Sequence, residues 1–356
     1  MSARSWLGTG GRSVARPLAD APVLRVAYEY ADLDALLGEP DVLAVLAFGG
    51  NAPAAHSDSR YLRVALEPLQ TPKPFEVWRA SAAVVGGRAG VVRYAHDGNL
   101  LFGALEIGEA LFESTAPADS AIAAAAAAGY AELGAFLVGS GYPHAQRIWN
   151  YLAAITEGTD DAERYRQFCI GRARGLPLQT RYPAATAIGT PASSSEGGRK
   201  LQIYFLAAKS PGTPLENPRQ IAAYRYPRQY GPQPPSFARA MLAPATASAS
   251  GPLLISGTAS VRGHASVHAD DVVAQLDETL LNLRTVLDAA RELQPALPVA
   301  FGEHSLLKVY LRDPSHASVV EATLRNRLPA DTSLLLLHAD ICRAELLIEI
   351  DGFHGV

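Results

Sequence analysis

At 356 residues, with 48% hydrophobic residues and a net charge of −4, the chain is long enough for two domains or one large one and has ample apolar material for a core. It has no long basic run, which argues against a nucleic-acid surface, so an anionic ligand must be met by a local basic pocket. Two cysteines, Cys169 and Cys342, make neither a disulfide framework nor a metal set and fit a reducing cytoplasm.

The opening residues, MSARSWLGTGGRS, carry charge with no apolar run behind them, so no secretory signal is expected and residues 1–22 read as a loose arm. Then come VLRVAYEY, a helical piece at Leu33 to Leu37, and VLAVLAFGG. Further strand signals lie at Tyr61 to Leu66, Pro74 to Trp78 and Val91 to Ala95, punctuated by Gly86, Gly87 and Gly90. Residues 1–95 are read as this arm plus extra strands joined to a module that begins at residue 96, with no function assigned. Ala121 to Gly139 is Ala-rich and contains Glu132; it reads as a buried helix rather than a membrane span.

From residue 101 the pattern repeats. LFGALEI stands about 152 residues before LLISGTAS, the helix from Asp119 about 151 before that from Asp270, and LQIYFLA 145 before LLIEIDG. RIWNYLAAI matches LLKVYLRD, and ERYRQFCIGRARGLP matches the helix ending RNRLP. A near-constant offset over five elements in one order marks an internal duplication, here of an α+β module spanning residues 96–210 and 253–356. Each copy is expected to be a mixed sheet with helices packed on one face. On this alignment Tyr204 stands where the second copy has Glu349.

Residues 211–252 separate the copies. They are too long and Pro-rich for an ordinary connection and concentrate Arg219, Tyr224, Arg225, Tyr226, Arg228, Tyr230 and Arg239, which reads as a loop packed on a site.

The second copy opens with a strand at Leu253 to Ser260 and a helix at Asp270 to Ala290. The apolar stripe of that helix (Val272, Val273, Leu276, Leu280, Leu283, Val286, Leu287) must lie on a sheet, and Asp270 and Asp271 suit its N-terminus. Strands are expected at Ser305 to Asp313, Ser333 to Cys342 and Glu345 to Asp351, with a helix at Pro314 to Arg327.

Glu349 is the leading candidate for chemistry. The strand ELLIEID alternates, so Glu349 sits among apolar neighbours, where burial would raise its pKa and make it a proton donor near neutrality. The pattern alone fits better a carboxylate on the wet face of a half-buried strand. Lys308 and Tyr310, and likewise Arg147 and Tyr151, lie on one face of their strands and are candidate substrate contacts or solvated faces. His264, His268 and Asp270 lack further partners at ligand spacing, so no metal is expected.

The run Gln275, Leu281, Asn282, Leu283 and the closing Ile348, Glu349, Ile350, Asp351 resemble the RidA/YjgF family. Together with RIWNYLAAI, ERYRQFCIGRA, ENPRQIAAYRYP, SGTAS and ICRAELLIEI, they make residues 100 to 351 similar to the chorismatases, which remove the enolpyruvyl side chain of chorismate. The resemblance implies two diverged RidA-like modules and Glu349 as the acid. It further implies Cys342 and a small residue at Gly257 as determinants of product, with 3-hydroxybenzoate release where Cys is present.

Two substrate carboxylates then call for cationic or donor groups, with Arg147, Arg239, Lys308 and Arg343 as candidates and Tyr151, Tyr204, Tyr224 and Tyr310 as further contacts. The expected activity is cofactor-independent cleavage of chorismate to pyruvate and 3-hydroxybenzoate in the cytoplasm, with no membrane partner, by a monomer or homotrimer. The alternatives are chorismate hydrolysis to a dihydroxylated diene acid, a RidA-like imine or enamine hydrolase, and a non-catalytic binder of an aromatic acid.

Overall fold

The structure, a computed structural model, describes residues 23–50, 52–112, 120–176, 181–190, 198–245 and 250–356. The loose arm expected over residues 1–22 lies outside them.

In the C-terminal module four strands run in the sheet order Ser333–His338, Ser305–Leu311, Ile348–His354, Leu253–Ala259. The first two are parallel and the rest antiparallel. A parallel pair needs a crossover connection, which the helix Ala317–Arg327 supplies. The longer helix, Val272–Leu293, is capped by Asp271, whose carboxylate accepts from the amides of Val273 and Ala274. Its stripe of Leu276, Leu283, Val286 and Leu287 packs on Ile255, Leu307, Val309 and Ile350.

The middle module repeats the plan. Its strands run Ala184–Thr190, His144–Ala153, Lys200–Ala208, Leu100–Gly108, again with only the first pair parallel. The helices Ala121–Ser140 and Arg164–Gly175 cover one face. By length and composition Ala121–Ser140 is apolar enough to cross a membrane; here Ile122, Tyr130, Leu133 and Leu137 bury it on the sheet. The protein is α+β with mixed sheets, as the sequence implies. The strand Ala184–Thr190, absent from the expected elements, is AATAIGT, poor in the bulky residues that advertise a strand.

The N-terminal region differs from expectation. Only Val85–Ala89 and Val92–His96 join the middle sheet. Residues 24–80 form a sheet of their own, in the order Tyr61–Val64, Val42–Phe48, Phe75–Ala80, Leu24–Glu29, with the first pair parallel and the rest antiparallel. This is the same strand order a third time. The unit has a six-residue first helix, Leu33–Gly38, and none between its parallel strands among the described residues. A chain with so little helical periodicity does not announce a repeat.

Short strands stitch the units together. Asp340–Ile341, just past the third strand of the C-terminal module, pairs with the third strand of the middle module. Glu67–Pro68, just past the third strand of the N-terminal unit, pairs with the third strand of the C-terminal module. The helix-free faces of all three sheets meet in one core that includes Leu46 and Trp78, Phe102 and Trp149, and Leu254 and Phe353.

Candidate active site

That shared core contains a buried polar network. Oδ2 of Asp351 accepts from Arg147 (3.0 Å), Trp149 (2.9 Å), Thr186 (2.8 Å) and Tyr310 (3.0 Å). Lys308 donates to Glu76 and to the Tyr204 hydroxyl, and the Tyr151 hydroxyl bridges Tyr204 and Tyr310. Buried charge requires this degree of pairing, so the network orders the three sheets around one arrangement.

A cavity of about 310 Å³ adjoins it, between the middle and C-terminal modules. The C-terminal module contributes Gly257, Ala259, Cys342, Arg343 and Glu349. The middle module contributes Tyr165, Arg166, Arg172 and Thr186, and the loop after it contributes Tyr226, Tyr230, Phe237 and Arg239.

Glu349 lies opposite Ala259 and Tyr310 in its sheet, on the face shared with Asp351. Next to it the Leu253–Ala259 strand shifts register between Ile255 and Thr258. The irregularity lets the Gly257 amide donate to Thr186 Oγ1 at 2.8 Å and brings the Gly257 backbone against the Glu349 carboxyl. Burial first, then the nearby Asp351 charge, pushes the pKa of Glu349 up from 4.5 to about 8; Arg147, Arg239 and Arg343 pull the other way. At neutral pH the group is a protonated acid at the cavity wall.

Arg172 is set by close helix packing. A side chain at Gly171 would strike the Ala123 carbonyl, so only glycine lets the helix Arg164–Gly175 lie so near Ala121–Ser140. Arg172 then crosses the Tyr130 ring at 5.1 Å, with Nε and Nη2 buried and without a hydrogen-bond partner. Nε of Arg239 is likewise unpartnered, while its Nη2 holds the Tyr226 hydroxyl and the Ile221 carbonyl. Arg343 lies 4.0 Å above the Tyr230 ring and donates to His264 O and Ser266. Unsatisfied guanidinium nitrogens on a cavity wall are the donor set an anionic ligand completes.

Burial, and then Glu349, push the Cys342 thiol up, so it is a neutral thiol packed beside Ala259, Ile341 and Leu346. Cys342 and Glu349 reach one cavity because Arg343 to Leu347 turn between strands, as the polar RAE suggests.

Of the residues singled out in the sequence, Glu349, Cys342, Gly257, Arg239 and Arg343 line the cavity, as do Tyr226 and Tyr230 of the loop. Arg147, Tyr151, Tyr204, Lys308 and Tyr310 do not; the third sheet closes over them and they form the buried network. Tyr224 packs against Tyr182 with the rings tilted, and is not part of the cavity wall. Arg166, Arg172 and Tyr165 were not anticipated, although they lie in ERYRQFCIGRA, one of the stretches behind the family resemblance.

The ladders also correct one equivalence. Tyr151 and Tyr310 hold matching places in the second strands of their modules and stand opposite Gln202 and Glu349. The offset at this strand is therefore 147, from Gln202 to Glu349, and Tyr204 matches Asp351.

An α+β chain whose repeated sheets enclose a protonated acid among arginines has the layout of an enzyme acting on a small anionic substrate by proton donation. Residues 76–207 match the family model described as chorismatase FkbO/Hyg5-like, N-terminal. The chain is 35% identical to a 3-hydroxybenzoate synthase of Streptomyces hygroscopicus, over 79% of this chain and 82% of that one. It is 34% identical to a chorismatase of Streptomyces rapamycinicus, over 78% and 81%. A chorismatase crystal structure superposes with a TM-score of 0.78 at 31% identity, covering 94% of this chain and 98% of that one. The chain belongs to the chorismatase family.

Proposed function

We propose that this enzyme cleaves the enolpyruvyl ether of chorismate to pyruvate and 3-hydroxybenzoate, with Glu349 as the proton donor. The observation that carries the reading is a protonated, buried Glu349 sharing one cavity with Arg172 and Arg239, whose free guanidinium nitrogens suit the two carboxylates of the substrate. Glu349 gives its proton to the terminal methylene carbon, and the ether oxygen supplies electrons to form an oxocarbenium centre. The carboxylate left on Glu349 stabilises that centre. The neighbouring ring hydroxyl then attacks the ether-bearing ring carbon. The C–O bond breaks, its electrons return to the oxygen and pyruvate leaves as the ketone. The hydroxyl proton returns to Glu349, leaving the oxygen bridging the two ring carbons as an epoxide; its bond to the carbon that first bore it then breaks with the electrons to oxygen, and the proton lost from the carbon that keeps the oxygen passes to that oxygen, restoring aromaticity.

Cys342 supports the non-hydrolytic branch. Its thiol is neutral and packed among apolar side chains, so it occupies space without activating water.

Incubation with chorismate should yield pyruvate and 3-hydroxybenzoate in equal amounts. Arg172→Met should raise KM by about tenfold or more, the scale of one charge-assisted contact. Pyruvate accompanied only by a dihydroxylated diene acid would assign the hydrolytic branch instead, and no pyruvate at all would overturn the reading.

A further inference from the structure

The repeated units repeat their interfaces as well. The cavity beside Glu349 forms where the first and last strands of the C-terminal module, with the segment before the last strand, meet the third strand of the middle module. A second cavity, of about 170 Å³, forms where the first and last strands of the middle module meet the third strand of the N-terminal unit. Glu106 comes from the first strand, Lys200 and Gln202 from the last, Thr190 from the end of the third, and Arg63 from the neighbouring unit. Gln202 occupies the register position that Glu349 has in the catalytic cavity.

The chemistry at this second position has changed in a consistent direction. Gln202 has no acidic proton, and its amide nitrogen already donates to Glu106 (2.6 Å) and the Arg63 carbonyl (2.9 Å). Three cations line the cavity, Arg63, Arg93 and Lys200, against one carboxylate, Glu106. Glu106 takes Lys200 at 2.8 Å and faces Arg93 at 3.7 Å. The guanidiniums of Arg63 and Arg93 are otherwise held by backbone carbonyls, of Gly49 at 3.1 Å and Tyr61 at 3.3 Å. With neutral carbonyl partners, the charge of these arginines is met only by two carboxylates already paired with lysines, Glu106 beside Arg93 and Glu67, on which the Arg63 charge acts. The remaining wall is made of small residues, Ala54, Ala65, Ala153, Thr190 and Gly198, and the Tyr151 ring.

We propose that this cavity is a second, non-catalytic binding site for a small carboxylate on a compact apolar body, such as a ring acid. The excess positive charge takes the carboxylate, and the alanines and Tyr151 take the body. At about half the volume of the catalytic cavity, it accommodates one ring and excludes a ring carrying an enolpyruvyl arm. With Gln202 in place of an acid, the ligand is held without being protonated.

The test is calorimetric titration of the full chain with benzoate and, separately, inorganic phosphate, followed by crystals grown with 3-bromobenzoate. The wild type should bind benzoate at two sites and phosphate at neither with comparable affinity. Arg63→Met combined with Lys200→Met should weaken one benzoate site at least tenfold, with an unchanged melting temperature. Arg172→Met should weaken the other, and its outcome bears on the catalytic reading alone. A bromine anomalous peak should appear beside Gln202. Benzoate binding that the double variant leaves unchanged, or no bromine beside Gln202, would each overturn the proposal, whether or not chorismate is turned over.

Discussion

Gly257 and Glu349 face each other so closely that a β-carbon on Gly257 would overlap Oε1 of the carboxyl. The absent side chain at one position is the space in which the acid sits at the other. Gly257→Ala should therefore leave the fold intact, because the tip of a flexible side chain can move aside, while displacing the proton donor. The expected result is a fall in kcat by about tenfold or more, ~1.4 kcal/mol of barrier, with a smaller change in KM. Steady-state kinetics beside an unchanged melting curve would show it; an unaltered kcat would mean that the carboxyl position is not critical.

Glu349 also sets a pH dependence. As the acid it must be protonated, so kcat should hold at neutral pH and decline as pH rises through about 8. Glu349→Gln should lower pyruvate release by ~10²–10⁴-fold below about pH 8, a gap that narrows as the wild type itself deprotonates at higher pH. Its effect on stability has the opposite sign. A carboxyl with its folded pKa raised above 4.5 holds its proton more tightly in the folded state, so its contribution is full below 4.5 and is lost as pH rises to about 8. The glutamine variant escapes that loss. Melting curves should coincide near pH 4 and separate in favour of the variant up to about pH 8.

The sequence was most legible where local periodicity is self-sufficient. The stripe from Leu276 to Leu287 needed a sheet, and the offset between Leu101 and Leu253 announced a copy. It was least legible where a third layer decides. Alternation places Lys308 and Tyr310 on the same sheet face as Glu349, but it cannot say which part of that face another sheet will cover and which will border a cavity. The Trp78 sheet covers Lys308; the junction of two modules leaves Glu349 at a wall. Arg172 is fixed by a helix–helix contact at Gly171, a tertiary event with no signature of its own beyond a small residue.

Asp351 links the buried network to the acid. Its charge lies with Arg147, and both side chains are fully buried, so Asp351→Asn leaves a cation without its counterion. The expected cost is about 3–5 kcal/mol, read from the denaturant midpoint. In the folded fraction, loss of a neighbouring negative charge makes ionisation of Glu349 easier. The alkaline decline in kcat should then move to lower pH. A shift upward, or none, would show that Asp351 acts on the fold alone.

Cys342 should govern product rather than the first proton transfer. Its thiol is held neutral by burial and by Glu349, so it has neither the thiolate needed for attack nor a base to make one. What it contributes is volume beside Ala259 and Leu346, against the space where the reacting ring must lie. Cys342→Ala removes that volume without introducing charge. Water can then compete with the ring hydroxyl for the activated ether. The expected outcome is continued pyruvate release at a similar rate, with product moving from 3-hydroxybenzoate toward the dihydroxylated diene acid, measured by chromatography of a single incubation. Loss of pyruvate from a folded variant would place Cys342 in the activation step. An unchanged product ratio would transfer the selectivity to Gly257, where the same chromatographic comparison on Gly257→Ala would decide it.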